Sequence, residues 1–305
     1  MFSGCGTALV TPFRRDGSPA GAVLDEDTLR RLVRRQIDAG VNFLVPVGTT
    51  GESPTLGHQE KLRVVEITLA ETQGRIPVLA GAGGNDTAEV VAMARELAGM
   101  GVNGILSVTP YYNKPTPEGL YQHYRAIAAA ISLPIIVYSI QGRTGINVEP
   151  ATLKRIAEIE NVVGVKEASG NIGQIASILR QIPERFAVLS GDDALALPVI
   201  ALGGHGVISV VSNEIPAEMT RLVQCCLQND FVSARRLLRT YLPLIEANFL
   251  ESNPIPVKAA MAAMGLLEPV WRLPLCAPKP ETTERIRTVL ESLGLLGGRH
   301  AAGTN

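Results

Sequence analysis

The sequence has few of the residues that bind metal ions or form disulfide frameworks. It contains four cysteines without a Cys-x-x-Cys pair and four histidines without His-x-His or His-Glu-x-x-His spacing. Metal sites in proteins usually take several ligands from such closely spaced residues. We therefore expect no structural or catalytic metal ion, and we expect the cysteines to be reduced thiols in or near the core.

The chain also lacks an excess of charge of one sign and any long apolar segment. Its 28 basic and 29 acidic residues are mixed along the sequence, which predicts no nucleic-acid partner. No apolar run approaches the roughly 20 residues that span a membrane, and residues 1–6 do not resemble a signal peptide. We therefore expect a cytoplasmic protein with no membrane partner, whose ligand is a small molecule.

Glycine-rich phosphate-binding motifs are absent as well. The segment Gly81-Ala82-Gly83-Gly84-Asn85 matches neither Gly-x-Gly-x-x-Gly nor Gly-x-x-x-x-Gly-Lys-Ser/Thr. It is more typical of a tight turn between a strand and a helix. A doubly wound sheet usually carries a glycine fingerprint after its first strand, so this alternative fold is disfavoured.

Eight short apolar runs recur at nearly even spacing and are separated by helical segments. The predicted strands cover residues 7–10, 42–47, 76–80, 104–108, 134–138, 162–166, 186–190 and 206–210. Eight strands that alternate with helices are the number that closes a parallel (β/α)8 TIM barrel. Beyond residue 212 the pattern is helical only, over residues 216–228, 231–248, 256–265 and 281–293. We therefore predict an α/β protein with a barrel core at 1–212, a C-terminal helical appendage at 213–297 packed on the barrel, and a disordered tail at 298–305.

Lys166 is the most informative single residue, because it stands at the carboxyl end of a strand that reads as buried. The four residues before it, Val162-Val163-Gly164-Val165, are apolar, which is typical of a parallel strand covered on both faces. Ligands bind at the carboxyl ends of barrel strands. Desolvation there disfavours the ammonium form, so a free amine can attack a carbonyl carbon and form a Schiff base. The alternative is a strand-end lysine that reaches solvent or pairs with a neighbouring acid.

Other polar residues follow neighbouring strands, and in a barrel these positions share one mouth. The segment Gly48-Thr49-Thr50-Gly51 offers hydroxyls and backbone N–H groups that can hold a carboxylate, although it could also be an ordinary turn with a threonine helix cap. Tyr112 and Tyr138 can relay protons, although either could equally be a packing residue. Arg143 can hold a carboxylate through its planar fork, and the segment at Gly191 can offer backbone donors.

Seven motifs, in sequence order, resemble the dihydrodipicolinate synthase family, a branch of the N-acetylneuraminate lyase superfamily of pyruvate-dependent class I aldolases. The motifs are Gly48-Thr49-Thr50-Gly51-Glu52, Thr109-Pro110-Tyr111-Tyr112, Tyr138, Arg143-Thr144-Gly145, Gly164-Val165-Lys166-Glu167-Ala168, Ser190-Gly191-Asp192-Asp193 and Gly203-Gly204-His205-Gly206-Val207-Ile208-Ser209. The similarity covers about residues 3–275 and extends through Asn253-Pro254-Ile255-Pro256-Val257-Lys258. It implies a TIM-barrel enzyme that condenses pyruvate with L-aspartate 4-semialdehyde in lysine and diaminopimelate biosynthesis. It also implies that no cofactor is needed and that the protein is a homotetramer, built as a dimer of dimers.

The resemblance assigns a catalytic role to several of these residues. Lys166 is expected to form the Schiff base with pyruvate, and Tyr138 to donate and accept protons. Thr49 and Tyr112 are expected to complete a hydroxyl relay with Tyr138. In family tetramers, the tyrosine that matches Tyr112 comes from the neighbouring subunit of a tight dimer.

Substrate-binding roles follow from the same resemblance. Thr50, Gly191 and the region of Ile208 are expected to surround pyruvate, and Arg143 is expected to receive the carboxylate of L-aspartate 4-semialdehyde. The sequence departs from the family here, because the family commonly reads Tyr-Asn-Val-Pro-x-Arg-Thr-Gly. In this chain, Ser139-Ile140-Gln141-Gly142 precedes Arg143. The identity of the second substrate therefore depends on where this stretch places Arg143.

Two other functions are compatible with parts of the pattern. The first is another pyruvate aldolase or lyase of the superfamily, which cleaves a 2-keto-3-deoxy sugar acid or a sialic acid. Arg143 suits an aldehyde that carries a carboxylate, whereas polyol substrates need several neutral hydrogen-bond partners. The second is a non-catalytic barrel that binds a keto acid or a protein. The combination of Lys166, Tyr138, Tyr112 and the two threonines argues against it.

Overall fold

The strands lie where the apolar runs occur in the sequence. The computed structural model describes residues 2–17 and 21–296. In chain order the strands are β1 (Gly4–Ala8), β2 (Phe13–Arg15), β3 (Ala22–Leu24), β4 (Phe43–Val45), β5 (Leu79–Gly81), β6 (Gly104–Val108), β7 (Ile135–Ser139), β8 (Val162–Glu167), β9 (Ala187–Ser190) and β10 (Gly206–Ser209). Within the described residues, eight of them form one parallel sheet in the order β4-β1-β10-β9-β8-β7-β6-β5.

The two ends of this sheet meet, which closes the barrel. Leu44 of β4 and Val78, the residue before β5, form a parallel bridge. The backbone N–H of Leu44 donates to the carbonyl of Pro77 at 3.0 Å. The predicted eight-stranded TIM barrel is thereby confirmed.

Helices fill the gaps between the barrel strands and continue after the last one. They are α1 (Glu26–Asp38), α2 (His58–Thr72), α3 (Thr87–Met100), α4 (Pro117–Ala130), α5 (Gln141–Thr144), α6 (Pro150–Ile156), α7 (Ile172–Gln181), α8 (Ala196–Ala201), α9 (Pro216–Leu227), α10 (Phe231–Ala247), α11 (Ile255–Ala263) and α12 (Pro280–Ser292). The four predicted C-terminal helices are confirmed as α9 to α12. In the part of the chain that the structure describes, no helix is long and apolar enough to cross a membrane.

The proposed division into a core at 1–212 and an appendage at 213–297 stays a prediction, and the tail at 298–305 lies outside the described residues.

Local sequence explains the helix boundaries. Asp25 begins α1, because its side chain accepts a hydrogen bond from the backbone N–H of Thr28. Leu29 and Val33 of α1 are buried at helical spacing against the barrel.

The interior of the barrel is a packed core. Alternate strand residues point inward and form a cluster distinct from the core beneath the helices. Its buried members are Phe2, Ala8, Phe43, Val45, Leu79, Leu106, Ile136, Tyr138, Leu189 and Ile208. Tyr138 stands at the carboxyl end of β7, so the polar end of this otherwise apolar column lies toward the barrel mouth.

Near the N-terminus, the structure differs from the sequence prediction in two local features. The first strand was predicted at 7–10 but is Gly4–Ala8, because the small residues of this segment pair in register with β10 from Gly4 onward. The antiparallel hairpin of β2 and β3 was not predicted. Phe13 is its fully buried residue, and the two arginines after it are exposed, so the segment lacks the periodicity of a strand with one buried face.

Candidate active site

Lys166 lies near the end of β8 and only 5% of its surface is exposed. The acid beside it in sequence, Glu167, accepts hydrogen bonds from the backbone N–H of Ser169 and the amide of Gln174, and burial raises the pKa of its carboxyl. Among the described residues, Lys166 forms no salt bridge, whereas the buried Lys258 is paired with an acid. The structure therefore gives Lys166 neither the solvent-exposed nor the ion-paired position of the alternative interpretation.

Tyr138 packs directly against Lys166. The two residues are register partners on β7 and β8, and the Lys166 Nζ lies 4.2 Å from the centroid of the Tyr138 ring. The face of the Tyr138 ring thus attracts the Lys166 ammonium electrostatically, and this attraction does not depend on an acidic side chain. Among the described residues, the Tyr138 hydroxyl has no hydrogen-bond partner, so it is available to a ligand. A nucleophilic amine and a phenol that can move a proton therefore meet at the carboxyl end of two adjacent strands.

A cavity of about 260 Å³ opens beside this pair. Tyr138, Thr49 and Arg143 line it together with the apolar side chains of Leu106 and Val108. Lys166 does not line this cavity itself but lies against Tyr138, which does. The size is suited to a small molecule, and the lining combines apolar walls with a few polar groups, which is typical of ligand sites.

Thr50 and Ile208 are buried beside the same mouth. The Thr50 hydroxyl accepts a hydrogen bond from the side-chain amide of Asn253 at 3.0 Å, and Ile208 is part of the barrel column that includes Tyr138. The sequence assigned no role to Asn253, although its motif was included in the family resemblance. The contact joins residues 203 positions apart, so local sequence carries no signal for it.

Gly191 leaves space for the side chain of Lys166, but its own backbone N–H is not free to bind a ligand. A Cβ atom at this position would lie 3.2 Å from the Cε of Lys166 and 2.6 Å from the Cβ of Ala168, so a larger residue would displace the lysine side chain. The expectation of a backbone donor at Gly191 is wrong for this N–H, which donates to the carbonyl of Glu167 at 2.7 Å. The reason is that parallel pairing continues one residue beyond β9.

Arg143 reaches the cavity from the one-turn helix α5, which the sequence did not predict. The turn ends at Gly145 in the left-handed conformation, with φ of 76°. The Arg143 guanidinium donates to the backbone carbonyl of Asn253 at 2.8 Å and still lines the cavity. The unusual stretch before Arg143 therefore folds into a turn that directs the side chain toward the mouth.

Tyr112 is not brought to this cavity within one chain. Its side chain is 88% exposed and its backbone has φ of 71°, which is strained for a residue other than glycine. Its neighbour Tyr111 lines the cavity instead. The expected relay of Tyr138, Thr49 and Tyr112 is therefore incomplete in the single chain.

Among the described residues, no group of three or more His, Cys, Asp or Glu side chains could hold a metal ion.

Nearly the whole chain matches one protein family. Residues 1–293 match the model of the dihydrodipicolinate synthetase family. The chain is 51% identical over 294 residues to the 4-hydroxy-tetrahydrodipicolinate synthase of Koribacter versatilis, with 96% of each chain covered. It is also similar to the crystal structure of dihydrodipicolinate synthase from Thermotoga maritima, with a TM-score of 0.93 and 46% identity over 97% of this chain and 100% of that one.

A structure described as a monomeric dihydrodipicolinate synthase variant is similar to the same degree. Its TM-score is 0.93, its identity is 45%, and the match covers 97% of this chain and 98% of that one. The chain is thus similar to these proteins in both sequence and fold over almost its full length. The chain belongs to the dihydrodipicolinate synthetase family.

Proposed function

We propose that the protein condenses pyruvate with L-aspartate 4-semialdehyde to give 4-hydroxy-tetrahydrodipicolinate, through a Schiff base on Lys166. The protein is a lyase of the class I aldolase type. The observation that carries the assignment of Lys166 is its position. It is a buried lysine without an acid partner among the described residues, and it lies 4.2 Å from the ring of Tyr138 at the carboxyl end of the barrel.

The chemistry begins at the carbonyl of pyruvate. The Lys166 amine adds to C2, and loss of water gives an imine. Removal of a proton from C3 then gives an enamine, whose C3 attacks the aldehyde carbon of the second substrate. The aldehyde oxygen gains a proton and becomes a hydroxyl group. The amine of the second substrate then attacks C2, which closes the ring and releases Lys166.

Tyr138 is the group that we assign to these proton transfers. Its hydroxyl has no protein partner among the described residues and its ring contacts Lys166, so we assign it to the proton transfers at the imine and at the aldehyde oxygen. Thr49 lines the same cavity and is the next member of the proposed relay. Thr50 and Ile208, which are both buried, are assigned to the binding of pyruvate in this proposal.

Arg143 sets the preference for the second substrate. Its planar guanidinium can hold the carboxylate of L-aspartate 4-semialdehyde in two parallel hydrogen bonds. The cavity is also lined by hydroxyl groups, such as those of Thr49 and Ser53, which can bind neutral groups. The guanidinium of Arg143 is therefore the feature that favours the semialdehyde over a keto-deoxy sugar acid.

Tyr112 is proposed to act in the active site of a neighbouring subunit. Its 88% exposure and strained backbone support this role, because a large aromatic side chain held outward in a strained conformation is suited to a contact outside its own chain. The proposal includes a homotetramer assembled as a dimer of dimers. The similarity to a monomeric variant makes the assembly of this chain a point for direct measurement.

Trapping of the imine tests the proposed function. Borohydride reduction in the presence of pyruvate should add one reduced pyruvyl group to the peptide that contains Lys166. The matched control is Lys166→Arg, which keeps a cation but cannot form an imine and should take no label. A label on Lys114 or Lys258 in the wild type would contradict the assignment. Initial rates with the semialdehyde and with keto-deoxy sugar acids then identify the second substrate.

A further inference from the structure

Asn253 touches both of the groups that are proposed to bind carboxylates. Its side-chain amide donates to the Thr50 hydroxyl at 3.0 Å, and its backbone carbonyl accepts from the Arg143 guanidinium at 2.8 Å. Asn253 lies just before α11 and is itself buried. A residue of the C-terminal helical segment thus connects the pyruvate end of the site with the semialdehyde end.

The contact with Thr50 determines which way its hydroxyl proton points. A threonine hydroxyl has one hydrogen to donate and two lone pairs that accept. Because the Asn253 amide occupies a lone pair, the Thr50 hydrogen is left for another acceptor, and no described residue takes it. The carboxylate of a bound ligand is an acceptor of the required kind.

The contact with Arg143 has a similar effect on the guanidinium. One N–H group is fixed on the Asn253 carbonyl, which leaves the remaining donors of the planar fork to a ligand. The side chain is otherwise long and flexible, so this anchor reduces the entropy that is lost when a carboxylate binds.

A second contact joins the same two segments of the chain. Glu52, two residues after Thr50, pairs with Lys258 of α11, and both side chains are completely buried. Burial lowers the pKa of Lys258, while the charge and hydrogen bond of Glu52 oppose this effect. The pair fixes the loop that carries Thr50 to the segment that carries Asn253.

We infer that Asn253 is a positioning residue that orients the Thr50 hydroxyl as a donor to the carboxylate of pyruvate and holds Arg143 ready for the carboxylate of the second substrate. The side-chain amide serves the first role and the backbone carbonyl the second. Substitution of the side chain should therefore weaken pyruvate binding more than binding of the semialdehyde. This inference rests on the proposed function.

Two substitutions separate positioning from packing. Asn253→Ala removes the amide, and we expect the pyruvate concentration that half-saturates borohydride labelling of Lys166 to rise about fivefold, the factor for one neutral hydrogen bond. Asn253→Asp has nearly the same shape but can only accept, so it draws the Thr50 hydrogen away from pyruvate and adds a negative charge. We expect a rise of at least about tenfold, because a charged group is involved. A packing role would give the reverse order, with the isosteric Asp variant the milder.

A double-mutant cycle tests whether Asn253 acts through Thr50. In a Thr50→Val background, Asn253→Ala should change the half-saturating pyruvate concentration by less than about twofold, since the hydroxyl to be oriented is gone. The matched control is Asn248→Ala, which removes a buried asparagine of the same region that bonds Glu214 instead of Thr50. It should lower the melting temperature without changing pyruvate affinity.

The outcomes distinguish this inference from the proposed function. Wild-type protein that pyruvate fails to label at Lys166 would overturn both. Normal labelling of wild type, with unchanged half-saturation in folded Asn253→Ala and Asn253→Asp proteins, would overturn the inference alone. Equal effects of Asn253→Ala with and without Thr50→Val would also overturn it, because the two residues would then act independently.

Discussion

Removal of the Tyr138 hydroxyl should stop turnover while leaving the fold and the pyruvate imine intact. In Tyr138→Phe, the aromatic ring that lies 4.2 Å from the Lys166 Nζ is retained, and so is its favourable face for a cation. Because the hydroxyl has no hydrogen-bond partner among the described residues, its loss leaves no protein group unsatisfied. We therefore expect the free energy of unfolding to change by less than about 1 kcal/mol.

The expected loss of rate follows from the role of the phenol as a proton donor and acceptor. A general acid or base contributes roughly 10²–10⁴-fold to a rate, and each tenfold corresponds to about 1.36 kcal/mol in the activation free energy. The kcat of Tyr138→Phe should therefore fall by a factor that corresponds to about 2.7–5.4 kcal/mol. This change far exceeds the expected change in stability, so the two effects can be separated.

Two measurements distinguish imine formation from enamine formation. Borohydride labelling of Lys166 reports imine formation and should match the wild type. Exchange of the pyruvate methyl protons in D₂O reports enamine formation without a second substrate and should slow together with kcat. If kcat stays within about threefold of the wild-type value, Tyr138 is not the general acid or base and another group moves the proton.

Three further predictions concern specificity, assembly and stability. Arg143→Ala should lower kcat/KM for L-aspartate 4-semialdehyde by about 10- to 150-fold, the factor for a hydrogen bond to a charged group, and leave labelling of Lys166 unchanged; unaltered kinetics would favour the lyase interpretation. Mixing inactive Tyr112→Phe with inactive Lys166→Ala subunits should restore some activity, since a mixed dimer can contain one intact site, and no recovery despite proven exchange would place Tyr112 outside the neighbouring site. Burial raises the pKa of Glu214 well above 4.5, so its stabilising contribution is present below that value and is lost as the pH rises through the folded-state pKa. The melting temperature of Glu214→Gln should thus rise relative to that of the wild type as the pH increases above 4.5, and parallel curves would refute the argument.

The sequence predicts the barrel well because each of its strands is covered on both faces. Such strands appear in the sequence as continuous apolar runs. Eight such runs at even spacing are compatible with few folds other than a closed parallel barrel. Lys166 is predictable for the same reason, since it is the charged residue that ends an apolar run. The helices α9 to α12 were found from their periodicity, which depends only on neighbouring residues.

Features that depend on distant residues were not predictable in this way. The turn α5 has four residues, too few for a helical period, and its role is visible only through the contact of Arg143 with Asn253. The contact of Asn253 with Thr50 spans 203 positions. Tyr112 carries a function that a single chain cannot complete in this proposal, so neither local pattern nor the isolated fold accounts for its exposure.

The buried pair of Glu52 and Lys258 has a consequence for protein synthesis. The partners are 206 positions apart, so a chain growing on the ribosome at 5–20 residues per second produces Lys258 about 10–40 s after Glu52. Until then the acid at the end of the Thr50 loop lacks its buried counter-ion, and the loop lacks its ion pair with α11. Every barrel strand has been translated by that time, yet the loop is not yet joined to α11. Catalytic competence should therefore appear only after Lys258 has been synthesised and has paired with Glu52.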